Sequence, residues 1–532
     1  MSEIILALPV FFPILSGVAM LLRGLGKEEW SRKRELFIES LVTANSLLVA
    51  AAIAGGVDGD RRLVLFRLYS ELTIMFKLDR MGSVFAGLVA FLWPLATLYA
   101  FEYMKHEERK STFFAFYTIT YGITMGIALA GNLVTLYLFY EMLTLVTLPL
   151  VLFPLTTEAV RAGRTYLYYS IGGAAFAFVG LVFVLGFSAV GTTEFVAGGM
   201  LNLVRAGERK DVLLIAYVLA FFGFGVKAAL FPCYRWLPKA AVAPTPVTAL
   251  LHAVAVVKSG AFAILRLTYF SFGTQFLRGT WAQWVVMAAA LVTIGFGSTM
   301  AVKEVHWKRR LAYSTVSNLS YILFGATLMT PFGLAAALSH LVIHAFMKIC
   351  AFFCAGAVMH QSGKTYIYEL DGMGKKMPIT FGCLLVSSLS LMGIPLFAGF
   401  ISKWNLAQAA FDSNAPLAYT GVVVILYSAL MTGIYMMTVM VRAYFPSLGG
   451  LMVEAAENAG GPHRDQTGAE SPGSSAEKKP RARKGKKAAH KVTDPSWKMT
   501  VPLVIFAAAI LLIGLHPAPL MRLLTMIGGE AG

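Results

Sequence analysis

The chain has 532 residues, 57% of them hydrophobic and only 14% charged, with a mean hydropathy of +0.69. Soluble domains sit near about 45–50% apolar and about 25% charged, so a soluble enzyme, a disordered protein and a disulfide scaffold are excluded. What remains is an all-α polytopic membrane protein. The net charge of +17 invites a nucleic-acid reading until it is located. Lys478, Lys479, Arg481, Arg483, Lys484, Lys486, Lys487 and Lys491 supply eight of those charges within fourteen residues that hold no acid. No folded basic face or aromatic stacking platform accompanies that run, so nucleic acid is not an expected partner.

Apolar runs bounded by charge or by Gly/Pro predict about fourteen spanning helices. They cover 4–22, 37–55, 82–103, 113–130, 132–153, 166–190, 212–231, 245–270, 281–302, 310–329, 332–359, 378–409, 416–445 and 499–523. The first run lacks a basic n-region and a small-x-small cleavage site, so it does not read as a cleaved signal peptide. Lys and Arg favour the loops after odd-numbered helices, with 19 there against 10 on the other side. By the positive-inside rule both termini are expected outside and the richer loops in the cytoplasm.

Residues 446–498 are rich in Gly, Pro, Ser, Lys and Ala and nearly free of large apolar side chains. Such a segment cannot bury enough surface to fold alone, so it is expected to be a disordered cytoplasmic linker before the last helix. Its basic run suits anionic lipid headgroups or an acidic partner subunit, or serves as a solvated tether. Cys233, Cys350, Cys354 and Cys383 sit in apolar surroundings without the close pairs of a zinc ribbon or iron–sulfur run. No metal and no redox cofactor is expected in this chain.

The informative residues are ionisable groups inside apolar helices, where a charge costs about 2.5–3.5 kcal/mol on insertion scales. They are Glu141, Lys227, Lys258, His340, His344, Lys348 and Lys403. One such residue is as easily structural, through a self-satisfied pair or snorkelling. Seven on five helices point to an ion pathway, because alternating acids and bases are what proton relay through hydrocarbon requires. His340, His344 and Lys348 follow at i, i+4 and i+8, which stacks them on one helix face within about 12 Å. Two histidines at i, i+4 also suit zinc, but no third ligand is apparent. His252 lies six residues before Lys258, about 240° round the helix, and aligns better with Ser259; as a possible proton-path residue it is the weakest of the set.

Prolines stand beside these charges. Pro232 and Pro238 follow Lys227, and Pro395 precedes Lys403. Proline frees carbonyls that only a polar cavity or buried neighbours satisfy, and broken helices at matching places in two halves point to a transporter's ion site. Lys227 and Lys403 lie 176 residues apart, which fits two five-helix repeats, helices 4–8 and 9–13. The expected organisation is helices 1–3 over 1–112, repeats over 113–270 and 281–445, the linker 446–498, and helix 14 within 499–532.

The stretches Gly225-Val-Lys-Ala-Ala-Leu-Phe-Pro-Cys-Tyr-Arg-Trp-Leu-Pro-Lys, Ala243-Pro-Thr-Pro-Val-Thr-Ala-Leu-Leu-His-Ala-Val-Ala-Val-Val-Lys-Ser-Gly, Ser339-His-Leu-Val-Ile-His-Ala-Phe-Met-Lys and Gly393-Ile-Pro-Leu-Phe-Ala-Gly-Phe-Ile-Ser-Lys carry a resemblance. They resemble the antiporter-like subunits shared by respiratory complex I, energy-converting membrane-bound hydrogenases and Mrp-type cation/proton antiporters. The resemblance implies fourteen helices, two inverted repeats with helices 7 and 12 broken, and a prokaryotic cell membrane location. It also implies a central hydrophilic axis: Glu141 paired with Lys227, then Lys258, the His340/His344/Lys348 group, and Lys403 as terminal lysine. The family's usual His after Phe-Pro is Tyr234 here, which puts a role for that position in doubt.

The expected function is a non-redox membrane subunit that conducts protons within a larger ion pump. Driving energy is expected from other subunits, because this chain offers no nucleotide or flavin motif, and the resemblance implies that such partners carry iron–sulfur clusters and a nickel–iron or quinone site. The alternative is a subunit of an Mrp-type Na⁺/H⁺ antiporter without a redox partner. A scaffold whose buried charges only hold helices together is the third reading.

Overall fold

The computed structural model describes residues 3–24, 30–57, 61–69, 72–189, 193–446 and 492–531. Most of the predicted linker and its whole basic run lie outside the described residues. The chain is a helical multi-pass membrane protein. Among the described residues, nine helices are long and apolar enough to cross a membrane, and shorter apolar ones accompany them.

The N-terminal part consists of α1 (Leu8–Gly24), α2 (Arg32–Ala54), α3 (Arg80–Tyr103) and α4 (Lys110–Ala128). Between α2 and α3 runs a hairpin that the hydropathy pattern did not foretell, β1 (Arg62–Tyr69) paired antiparallel with β2 (Leu72–Lys77). Its register sets Arg62 against Lys77 and Phe66 against Ile74, with irregularities after Val64 and Arg67. The hairpin is pinned to the helices by polar groups: Thr135 Oγ1 accepts from Met75 N at 2.9 Å, and Asn132 donates to the Thr73 carbonyl at 2.8 Å.

Next come α5 (Leu133–Val151), α6 (Thr157–Gly186) and α7 (Lys210–Lys227). Side-chain caps start several of these: Asn132 accepts from Thr135 N, and Thr156 from Ala159 N. Such caps satisfy N–H groups that no helical carbonyl reaches. The Thr156 cap begins α6 nine residues before the predicted run, because the first turns are polar and escape a hydropathy window. α7 stops at Lys227; the chain turns through Pro232 and forms only the short helix Trp236–Ala240 before α8.

α8 (Thr245–Phe272) is itself irregular, with π segments at Leu250–Val254 and Arg266–Phe272. It is followed by α9 (Trp281–Lys303), α10 (Trp307–Thr327) and α11 (Pro331–Ser362). Thr330 caps α11 with Pro331 at its first turn, and Gly363 ends it in the left-handed region at φ 70°. The predicted run 378–409 is two helices, α12 (Pro378–Met392) and α13 (Ala398–Asp412), parted at Gly393 with φ 90°. After α14 (Pro416–Tyr444), the predicted last run 499–523 also divides, into α15 (Trp497–Leu515) and α16 (Ala518–Ala531). Pro517 has no N–H to continue the ladder there.

Burial places the centre. The apolar windows of α8 and α11 are wholly buried, whereas only a third of those of α2, α14 and α15 is covered by protein. α8 and α11 are hydrophobic yet covered by protein along those windows, and they carry most of the buried ionisable groups.

Candidate functional site

Glu141 lies in the middle of α5, half-buried, with Oε1 buried and without a hydrogen-bond partner. Lys227, the last residue of α7, is fully buried. Its ammonium donates to the Tyr140 carbonyl and lies 3.3 Å from the centre of the Tyr140 ring. The lysine is thus lodged beside the residue preceding Glu141, and no ion pair within bonding distance joins it to the carboxylate. The break after Lys227 is stabilised without the lysine: Trp236 Nε1 donates to the Val226 carbonyl at 2.7 Å, and Leu230 N to the Gly225 carbonyl at 2.9 Å. Gly260 lets α8 run against this turn, since a Cβ there would meet Ala228 N at 2.7 Å and the Lys227 Cβ at 3.0 Å.

Lys258 on α8 and His344 on α11 are joined by a 2.7 Å contact between Nζ and Nδ1, both residues having 0% exposure. The His340 and His344 rings stack with centroids 5.7 Å apart, as their spacing predicts. His340 Nδ1 continues to Ser402 Oγ on α13 at 2.9 Å. One residue on, Lys403 donates back across the break to the carbonyls of Leu391 and Met392 at 2.7 and 3.0 Å. α11 therefore touches the lysine helix of each side.

Lys348 shares the α11 face with the two histidines but turns to α10. It donates to Ser314 Oγ at 2.5 Å and to the Leu311 carbonyl at 3.3 Å. Ser314 is bonded in turn to the Tyr435 hydroxyl of α14. His252 is buried in the first π segment with its ring 4.9 Å from Phe352, and both ring nitrogens lack a partner. The Ser259 hydroxyl, its predicted companion, is also unpartnered. His252 therefore lies near the row but is bonded to none of its members.

The zinc alternative for His340 and His344 finds no third ligand: among the described residues no group of three His, Cys, Asp or Glu could hold a metal. The cysteines act as fillers, with Cys350 Sγ 3.6 Å from the Cys383 carbonyl.

Several polar residues at the site escaped the sequence reading. Lys308, counted there as a loop charge, is 8% exposed and donates to the Ala243 carbonyl at 2.8 Å. Arg266, inside a predicted span, is fully buried and grips Asp79 with two 2.6 Å bonds. Three aromatic rings surround it, Phe195, Phe262 and Phe270. Burial opposes the Asp79 charge, but the Arg266 guanidinium and the Gly82 N–H outweigh it and hold the carboxyl below its usual range. Arg266 had the same signal as the lysines, an ionisable group in an apolar run. Ser314 and Ser402 had none, because hydroxyls are common in membrane helices.

Residues 130–432 match the family described as NADH:quinone oxidoreductase/Mrp antiporter, transmembrane, and residues 69–114 match the N-terminus of complex I chain 5. Among curated proteins, an NADH-quinone oxidoreductase subunit of Desulforudis audaxviator is 31% identical over 70% of this chain and 73% of its own length. A probable K⁺/H⁺ antiporter subunit of Rhizobium meliloti is 34% identical over 64% of this chain. A Na⁺/H⁺ antiporter subunit of Staphylococcus aureus is 30% identical over 63%. The matched segments span only 34% and 43% of those two longer relatives. Two solved structures share the fold over 99% of this chain and 97% of theirs. One is in the archaeal membrane-bound sulfane sulfur reductase (TM-score 0.80, 22% identity), the other in the Mrp complex of Dietzia sp. (TM-score 0.78, 21% identity).

Proposed function

From the premise that this chain belongs to the NADH:quinone oxidoreductase/Mrp antiporter transmembrane family, we propose that it is a proton-conducting subunit of a larger ion-translocating membrane complex. The observation that carries this reading is the 2.7 Å contact of Lys258 with His344, which links α8 to α11 in a fully buried place. Proton transfer needs a donor and an acceptor at hydrogen-bond distance, and an ammonium next to an imidazole supplies both.

In this reading the proton passes from the Glu141–Lys227 region to Lys258, His344 and His340, then by Ser402 to Lys403. Lys348 biases the histidines by its charge. Lys227 is the movable element. Lodged on the Tyr140 carbonyl it leaves Glu141 Oε1 without a partner; swung onto Glu141 it would neutralise the carboxylate. Orphaned polar atoms along the way, such as Asn318 Oδ1 and the free nitrogens of both histidines, favour water as a further carrier.

The same reading assigns fourteen spans and two inverted repeats, 113–270 and 281–445, with Lys227 and Lys403 at their breaks. It puts both termini outside and the 446–498 linker in the cytoplasm, near anionic lipid. Driving energy comes from partner subunits bearing iron–sulfur clusters and a nickel–iron or quinone site. The second reading, a subunit of an Mrp-type Na⁺/H⁺ antiporter without a redox arm, draws support from the relatives that serve cation/proton antiporters.

Purifying the native complex through a tag on this chain decides between them. Co-purifying iron, nickel or a quinone reductase arm supports the redox pump, and small antiporter proteins without such an arm support exchange. Intact proton translocation by the Lys258→Ala complex would sink both.

A further inference from the structure

α2, α3 and α4 hold a second group of buried polar atoms, which the row of lysines and histidines does not use. Glu39 sits about two turns into α2. Its Oε2 is buried and has no hydrogen-bond partner. The Tyr117 hydroxyl on α4 and the Trp93 indole nitrogen on α3 are likewise buried and unpartnered, and both side chains have 0% exposure. Glu39 is near enough to Tyr117 to interact with it electrostatically. The Trp93 ring lies 5.3 Å from that of Tyr117 and stacks at 4.8 Å on Tyr121.

The chemistry of the three groups is complementary. An indole N–H only donates, a phenol donates or accepts, and a carboxylate only accepts until it takes up a proton. At the neighbouring rim, where Lys33 also lies, two of the charges are bonded. Lys498 bonds Glu35 at 2.7 Å, and Arg34 bonds Ser111 at 3.0 Å. Arg23 of α1 lies at that same rim, beside Arg34 and Ser111. α3 brings no charge to the place, only Trp93. A carboxylate oxygen buried without a donor is costly as a charge, and binding a proton lowers that cost. Deeper in, the Tyr121 hydroxyl is 2.8 Å from Oγ of Ser46, which lines a groove open to the outside with Thr43 and Phe91. Glu39 lies one helical turn from Glu35, which Lys498 bonds at the rim.

We propose that Glu39 is a proton-binding site separate from the row, loaded from the rim where Arg34, Ser111 and Lys498 lie, with Tyr117 and Trp93 as hydrogen-bond partners of its carboxyl. It stands independently of the relay reading.

The test is infrared difference spectroscopy of the full-length chain in lipid nanodiscs, stepped in pH in light and heavy water. A carboxyl C=O band that appears on acidification is expected to be lost in Glu39→Gln and kept in Glu141→Gln. Tyr117→Phe is expected to shift it, and serves in place of Glu39→Gln should that variant fail to insert. Spectra of Glu39→Gln matching wild type, or a band unmoved by both Tyr117→Phe and Trp93→Phe, would overturn the proposal. Loss of the relay in Lys258→Ala with the band intact would leave this site standing.

Discussion

The two interrupted helices use their lysines in opposite ways. At the first break the carbonyls left over by the end of α7 are taken by Trp236 and by the backbone of the turn, while Lys227 reaches a carbonyl on another helix. At the second, Gly393 N takes carbonyls of Leu389 and Ser390, and Lys403 itself holds those of Leu391 and Met392. Helix ends must find partners for their last carbonyls. Where an indole does that work the lysine is not needed at its own helix end, and where the lysine does it, moving costs two bonds. Similar sequence motifs thus give one lysine bonded to a neighbouring helix and one bonded to the end of the helix before its own break.

Substitutions can break this contrast. Lys227→Ala is expected to lower proton translocation by the assembled complex more than about tenfold, while its folding stability changes by less than about 1 kcal/mol. Proteoliposome flux and thermal unfolding of the same preparation measure the two, and a large unfolding shift with intact flux would reverse the assignment of roles. Asp79→Asn tests the anchor of the first half. It strands Arg266, and the loss should be about 3 kcal/mol, because removing one partner leaves a buried charge.

That pair also sets a pH dependence. Asp79 is held below its usual range, first against burial and then by Arg266. Its contribution is therefore complete above the ordinary carboxylate range and lost as pH falls through the lowered value. Acid unfolding followed by tryptophan fluorescence should lose that component in Asp79→Asn.

Lys403→Met removes the donor from two helix-end carbonyls, so a loss of about 1–3 kcal/mol is expected beside the loss of flux. Lys403→Arg should restore stability better than flux. Trp236→Phe, the matching change at the first break, removes one of the donors from the Val226 carbonyl at about 1 kcal/mol, leaving the 3.0 Å bond from Ala229 N, and opens a competing acceptor site for Lys227. Its signature is a modest unfolding shift with slowed flux. The smallest effect belongs to Glu158→Gln. Its ion pair with Arg309 is exposed on both sides, 62% and 44%, and should change stability by less than about 0.5 kcal/mol.

Much of this was legible in the residues. The apolar runs gave the helices, since hydrocarbon admits few other backbones, and the i, i+4 spacing of His340 and His344 placed their rings together. The partner of Lys258 was not legible: periodicity excludes His252 from its face but cannot name His344 across 86 residues. Nor could spacing tell that Lys227 lodges on a carbonyl rather than on Glu141. The hairpin lay hidden between two strong helical signals, although Leu63, Leu65 and Leu68 alternate poorly with Arg62 and Arg67 in the way irregular strands do. Lys308 looked like a loop charge because a one-dimensional count cannot see the Val-Ala-Pro turn that folds over it.

The burial of α11 has a bearing on the membrane itself. Its 32 residues make a rod of about 48 Å, longer than the roughly 30 Å of a hydrocarbon core. A helix of that length in contact with lipid would tilt as the bilayer thins or thickens. α11 meets protein along its whole apolar window, so bilayer thickness acts instead on α2, α14 and α15. The spacing of His340, His344 and Lys348 is thereby insulated from hydrophobic mismatch, and the outer helices absorb it.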